Sequence, residues 1–348
     1  MKTVILKVKP NSMFRLGSGS LYETDKIIHS DTLFSAIIDI HSHVFENTDN
    51  FIGQFSKGNI SISSAFPMLS DDDCNKKIFF IPKPEIDFDQ KENIKAEKKI
   101  KYLSFEAFKQ IDDIRKHRIG FSDSNYFTLI GKEFVTAKSE LASNLPIDSF
   151  ISELVIPKTK VHSTTQDNSF YHETDVQLKA ITIEYNSGKS TLLPHYYFLY
   201  ESKLDEKLNL EFLTCLRILA DSGIGGERST GKGQFEGIIE TELEISRNVA
   251  TEQQLLLSLC NPNSQNEFNL FKSYEIVTRG GGSVSFDSED DKIENEIKPY
   301  RKKQVRMIAE GAIVNGNVEG RFVDVSPEKG KEEHKYFRNG KCFTIPIG

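Results

Sequence analysis

The stretch Gly223-Ile224-Gly225-Gly226-Glu227-Arg228-Ser229-Thr230-Gly231-Lys232-Gly233 packs five glycines into eleven residues and interleaves them with Arg228, Ser229, Thr230 and Lys232. Glycine adopts positive φ without a Cβ penalty, so such a loop lets backbone N–H groups approach a large ligand closely. Arg and Lys in the same loop favour an anion, phosphate above all. Upstream, Leu208, Phe212, Cys215, Leu216 and Leu219 recur at helical spacing. Downstream, Gln234–Leu243 reads as a strand. The loop therefore joins a helix to the strand that follows it.

That setting excludes the common nucleotide pockets. Gly226 to Gly233 almost matches the Walker A pattern, but Gly233 stands where the Mg²⁺-binding hydroxyl belongs. A P-loop also precedes its helix, so that helix N-terminal charge meets phosphate. Counting from Gly223 and Gly225, the sixth position of a dinucleotide fingerprint is Arg228, so a Rossmann site fails too.

Working outward, residues 3–9 alternate like a strand, and Ile60–Met68 likewise. A loop carrying Arg15, Gly17 and Gly19 leads to His29-Ser30-Asp31-Thr32, where Ser30 or Asp31 is expected to cap a helix whose face holds Leu33, Phe34, Ile37, Ile38 and His41. Residues 70–175 differ in character: an acidic triplet at 71–73, a Lys/Glu-rich run at 90–101 and a short amphipathic segment at 105–114 suggest an insertion outside the core. Strand-like runs at Val176–Tyr185 and Thr191–Tyr200 meet at Asn186-Ser187-Gly188. The order is βαββαβ, the ferredoxin-like pattern shared with RNA-recognition domains. Domain boundaries are expected at 1–245 and 246–348, the second opening with a helix at Glu252–Leu259 and continuing as strands.

A net charge of −7 argues against a generally basic surface, so any nucleic-acid site must be a local groove. No apolar run approaches the roughly 20 residues that span a bilayer, and Met1–Pro10 has no signal-peptide pattern. Cys74, Cys215, Cys260 and Cys342 are scattered without a CxxC pair, consistent with reduced thiols in the cytoplasm and no zinc site.

With Asp221–Gln234 placed after the second helix, the chain resembles the RAMP superfamily of CRISPR proteins. His29-Ser30-Asp31-Thr32-Leu33-Phe34-Ser35-Ala36 and Arg301-Lys302-Lys303-Gln304-Val305-Arg306-Met307-Ile308-Ala309-Glu310-Gly311 narrow the likeness to the family of the fourth Csm subunit of type III-A effector complexes. The likeness runs the length of the chain apart from 70–155. It implies an α+β, tandem ferredoxin-like (RRM-like) RAMP fold with a large thumb-bearing insertion at about 70–175 in the first domain. It also implies a cytoplasmic, non-catalytic RNA-binding subunit that needs no cofactor or metal. Such a subunit holds the crRNA 5′ handle, meets target RNA near the handle-proximal end of the guide, and docks the large polymerase-like subunit and the first backbone subunit.

Carried onto this sequence, the resemblance has Gly223, Gly225, Gly226, Gly231 and Gly233 following the handle's phosphates. Arg228 and Lys232 supply charge, and Ser229 and Thr230 supply hydroxyls. His29 and Ser30 sit at a helix start that favours phosphate, with Arg15 in the preceding loop. Lys158–His172 resembles a RAMP thumb, in which Lys160 and His162 touch backbone while Phe170 and Tyr171 stack or wedge. Arg279 and the Arg301-Lys302-Lys303-Arg306 group add local positive charge. Two alternatives stay open. One is a metal-independent repeat-processing endoribonuclease, for which His29, His162 or His172 would be the acid–base group. The other is the equivalent subunit of a type III-B complex.

Overall fold

In the computed structural model, the described residues are 1–17, 22–85, 94–117, 119–143, 145–160, 169–185, 188–245, 253–281, 302–327 and 335–347. The chain begins with β1 (Lys2–Lys7), β2 (Met13–Phe14), α1 (Ser30–Val44), α2 (Thr48–Ser56), β3 (Ile60–Ile62) and β4 (Phe66–Ser70). The insertion contributes β5 (Lys77–Pro82), α3 (Ile94–Glu97), β6 (Tyr102–Ser104), α4 (Phe105–Lys109), α5 (Ile111–His117), β7 (Phe127–Ile130) and β8 (Phe134–Ala137). A long hairpin of β9 (Ile151–Lys160) and β10 (Ser169–Leu178) follows, then β11 (Ile181–Tyr185), β12 (Gly188–Ser202), α6 (Glu206–Ser222), a 3-10 turn at Arg228–Thr230 and β13 (Gly237–Glu242).

The first unit is α+β, and its central strands lie in the order β13-β1-β12-β4, all antiparallel. Counted as strands of a βαββαβ unit this is 4-1-3-2, the ferredoxin-like order that the sequence pattern implies. Register pairs Val4 with Phe198 and with Glu240, which places β1 in the middle of the sheet. One face, carrying Val4 and Leu6, packs on Leu33, Phe34 and Ile37 of α1 and on Phe212, Leu216 and Leu219 of α6. The opposite face, carrying Ile5, Tyr197 and Leu199, packs on insertion residues such as Phe105 and Phe108 and on Leu255, Leu257 and Ile345 from the C-terminal unit. Covering on both faces explains the unbroken apolar run Val4-Ile5-Leu6.

Four expectations need correction. Residues 70–150 are not outside the core: β5, β6, β8 and β7 continue the main sheet beyond β4 and bring their own buried aromatic residues. Neither Ser30 nor Asp31 caps α1; the N-cap is His29, which makes no side-chain cap bond, while its carbonyl accepts the first helical hydrogen bonds. The expected helix at 252–259 is β14 (Gln253–Leu256), because its Leu255-Leu256-Leu257 run is buried on every side, and such a run has no period that separates helix from strand. Cys260 and Cys342 are not separate thiols but a disulfide across 82 residues, with Cα atoms 5.2 Å apart, brought together by a register that sequence spacing cannot reveal.

The C-terminal unit continues with α7 (Gln265–Phe268), β15 (Phe271–Ser273), β16 (Ile276–Arg279), β17 (Val305–Ile308), β18 (Ile313–Asn315), β19 (Gly320–Asp324), β20 (Phe337–Lys341) and β21 (Thr344–Pro346). Its main sheet runs β15-β18-β14-β21, with β16–β17 and β19–β20 as separate pairs.

Candidate nucleic-acid interface

The glycine loop has a closed base and a projecting tip. At the base, Gly223 N–H caps α6 through the Leu219 carbonyl at 2.8 Å, Ile224 N–H bonds the Gly233 carbonyl at 3.0 Å, Gly226 N–H bonds the Arg15 carbonyl at 2.9 Å and Gly233 N–H bonds the Met13 carbonyl at 2.9 Å. Several glycines are therefore required by the protein's own packing. A Cβ at Gly233 would lie 2.0 Å from the Ile224 carbonyl oxygen, and one at Gly225 would lie 2.4 Å from that of Arg15. At the tip, Arg228, Ser229, Thr230 and Gly231 are exposed, and the Thr230 hydroxyl donates to the Glu227 carbonyl at 2.8 Å.

Beneath the tip lies an ionic network joining three segments. Glu173 and Asp175 occupy alternate positions of β10, so both carboxylates project from one face of the hairpin. Arg15 Nη1 is 2.8 Å from Glu173, Lys158 Nζ is 2.7 Å from Glu173 and Lys232 Nζ is 2.6 Å from Asp175. Glu227 closes the network: Lys158 holds one carboxylate oxygen and Lys232 holds the other at 2.8 Å. Hydrogen bonds donated by Lys158 and Lys232 hold the Glu227 carboxyl down at about 2, and those that Lys158 donates to Glu173 and Glu227 push its own ammonium up to about 12. Burial alone would lower Lys232, but Asp175 and Glu227 raise it. Lys232, expected to offer its charge to phosphate, instead turns its head inward onto Asp175 and Glu227, and Arg15, expected beside the start of α1, turns onto Glu173.

His29, Ser30 and Arg279 form a second cluster that joins the two units. His29 places Nδ1 2.8 Å from Glu310 and Nε2 3.3 Å from Asp25. Both ring nitrogens face carboxylates, so the ring carries both protons; burial opposes this, but Glu310 and Asp25 prevail and raise His29 to about 10. The Ser30 hydroxyl accepts from Leu259 N–H at 3.0 Å. Arg279 forks onto both oxygens of Asp31 and donates to the Thr32 hydroxyl at 2.9 Å, while Arg338 also reaches Asp31. Burial would raise the Asp31 carboxyl, yet Arg279, Arg338 and His29 hold it at about 2.

On the hairpin, Phe170 is 82% exposed and Tyr171 half-buried. Lys160 ends β9, and His162 lies outside the described residues, as does Arg301. Arg306 is exposed on β17, while Lys302 and Lys303 precede that strand and so have no strand alternation. Among the described residues no group of three or more His, Cys, Asp or Glu is arranged to hold a metal ion, and no helix is long and apolar enough to cross a membrane. Glu173, Asp175, Glu227, Glu310 and Arg338 escape sequence reasoning. The one local signal is the i, i+2 spacing of Glu173 and Asp175 on a strand.

Residues 249–347 match the family described as the CRISPR Csm4 C-terminal domain. The CRISPR protein Csm4 of Methanocaldococcus jannaschii is 28% identical over 100% of this chain and 98% of its own length. Over its whole length the chain is similar to Csm4. The Streptococcus thermophilus Csm4 is similarly related, at 24% identity over 89% of this chain and 88% of its own. Among solved structures, a chain of the Csm3–Csm4 subcomplex of the type III-A CRISPR–Cas interference complex superposes with a TM-score of 0.67 and 22% identity, each chain covered in full. A chain of the Csm1–Csm4 cassette in complex with cA4 gives 0.56 and 19%, covering 100% of this chain and 98% of its own. The Csm4-like fold thus accounts for both units of this chain.

Proposed function

We propose that this chain is the RNA-binding subunit of a type III-A Csm effector complex, holding the crRNA 5′ handle on its glycine loop for antiviral defence. The carrying observation is the exposed tip Arg228-Ser229-Thr230, which stands on a base locked by backbone hydrogen bonds and buried ion pairs. A cation and two hydroxyls on a rigid support suit a sugar–phosphate backbone. In this reading Gly223, Gly225, Gly226, Gly231 and Gly233 shape the loop, and Lys232 and Arg15 hold it from beneath. His29, Ser30 and Arg279 frame it by joining the two units. The β9–β10 hairpin is the thumb, with Phe170 and Tyr171 toward bases at the handle-proximal end of the guide and its target.

Likeness to the Csm3–Csm4 and Csm1–Csm4 structures supports a place between a backbone RAMP subunit and the large polymerase-like subunit. The catalytic work falls to those neighbours, and the chain itself needs no cofactor. The direct test is Arg228→Ala in the assembled complex. Loss of a charge-assisted contact is expected to weaken handle binding by about 1–3 kcal/mol. Unchanged crRNA retention at moderate salt, in this variant and in the double variant with Ser229→Ala, would sink the assignment.

A further inference from the structure

We propose that the Glu227 carboxylate occupies the place of an RNA phosphate between Lys158 and Lys232 and is displaced when RNA binds. The proposal rests on the RNA-binding reading of the loop and adds the residue that opposes binding.

Each oxygen of Glu227 is held by a different ammonium, Lys158 from the hairpin and Lys232 from the loop. Two cations, each on one oxygen of a small anion, are the arrangement that the two non-bridging oxygens of a phosphodiester also accept. Formal charge points the same way. Arg15, Lys158 and Lys232 face Glu173, Asp175 and Glu227, three positive groups against three negative. Glu173 and Asp175 sit on a paired strand and are sealed from solvent. Glu227 differs, because it lies in the loop at a left-handed φ of 57° with its side chain 27% exposed, beside Lys158 at 28%.

Glu227 can therefore rotate outward without moving a strand, and the remaining network then lacks one negative charge. A phosphodiester arriving from the solvent side supplies that charge. The exposed Ser229 and Thr230 follow Glu227 by two and three residues in the same loop. Held ionised at any working pH, Glu227 competes with RNA continuously, so binding affinity is reduced by the fraction of chains in which it is seated.

The test uses the full chain and a labelled single-stranded RNA of about eight nucleotides, the span that one such surface covers. Glu227→Gln is expected to bind about tenfold more tightly, because the amide is a poor competitor for two ammonium groups. Glu236→Gln, which removes an exposed charge of the same sign nine residues along the chain, is expected to change affinity by no more than about twofold. Lys158→Gln is expected to weaken binding, and adding it to Glu227→Gln should abolish the gain. If Glu227→Gln and Glu236→Gln both match the unaltered chain while Arg228→Ala still binds weakly, this inference is wrong and the RNA-binding reading survives. If neither the unaltered chain nor Glu227→Gln binds the RNA, both fall. Should Glu227→Gln not fold, unchanged affinity in Lys158→Gln overturns the inference by itself.

Discussion

Arg279 places Nε and Nη2 each 3.1 Å from an oxygen of Asp31, a residue 248 positions earlier in the chain. Asp31 lies in the first turn of α1 and Arg279 at the end of β16, so this fork ties the ferredoxin-like unit to the C-terminal one. Arg338 from β20 and His29 with Glu310 complete a charged core between the units. The cluster places charges of two distant motifs, His29 and Asp31 in one and Glu310 in the other, in one ionic network.

Removing Arg279 takes two charge-assisted hydrogen bonds from the buried Asp31 carboxylate and leaves it to Arg338. Arg279→Ala is therefore expected to destabilise the chain by about 1.5–3 kcal/mol, the range for hydrogen bonds to charged groups. Urea unfolding of the two proteins measures this directly. A loss under about 1 kcal/mol would place the pair in the weak class of exposed salt bridges.

The same cluster sets a pH dependence. His29 is raised to about 10 in the folded chain, above its unfolded value of roughly 6.5. Its contribution is then complete below the unfolded value and is lost as pH climbs toward about 10. Melting temperature should fall across that window, and His29→Gln should flatten the slope. Asp31 acts oppositely: held at about 2, it contributes above the ordinary carboxylate range and is lost as pH falls toward that value.

Two glycines of the loop separate packing from conformation. Gly233 and Gly231 both have positive φ, at 77° and 85°, but a Cβ meets the Ile224 carbonyl oxygen at 2.0 Å in the first case and open space in the second. Gly231→Ala is expected to cost about 1 kcal/mol, the left-handed penalty. Gly233→Ala, which must also move backbone, should cost about 3 kcal/mol or more. Equal costs measured by thermal unfolding would mean that the base of the loop is not closed as described.

Phe170 offers a cleaner separation of stability from binding. At 82% exposure it contributes little to folding, so Phe170→Ala should leave stability within about 0.5 kcal/mol. If the hairpin stacks on a base, the same change should weaken guide or target RNA contact by about 1–3 kcal/mol. Retained affinity in the assembled complex would remove Phe170 from the interface.

Much of this was legible in the sequence. Helical spacing in Leu33, Phe34 and Ile37 and in Phe212, Leu216 and Leu219, set between strand-like runs, yields the ferredoxin-like order because each helix buries one stripe on one sheet face. Leu255-Leu256-Leu257 misleads because a segment buried all round loses its period. The loop glycines point outward toward a ligand when read alone, whereas in the fold Gly225 and Gly233 answer to carbonyls of Arg15 and Ile224. Lys232, Arg15, His29 and Arg279 read as open charges because Asp175, Glu173, Glu310 and Asp31, which hold them, lie in other segments, and no local pattern reports a pairing across 248 residues.

The central claim is that the exposed tip of the glycine loop holds the constant end of a guide RNA within an effector complex. Affinity purification of this chain from a host expressing the whole locus tests it most directly. The expected result is co-purified RNA that begins with a constant 5′ repeat tag, together with a large polymerase-like partner, and loss of that RNA from the Arg228→Ala complex. Recovery of the protein partners without tagged RNA, or with RNA retained equally by Arg228→Ala, would contradict it.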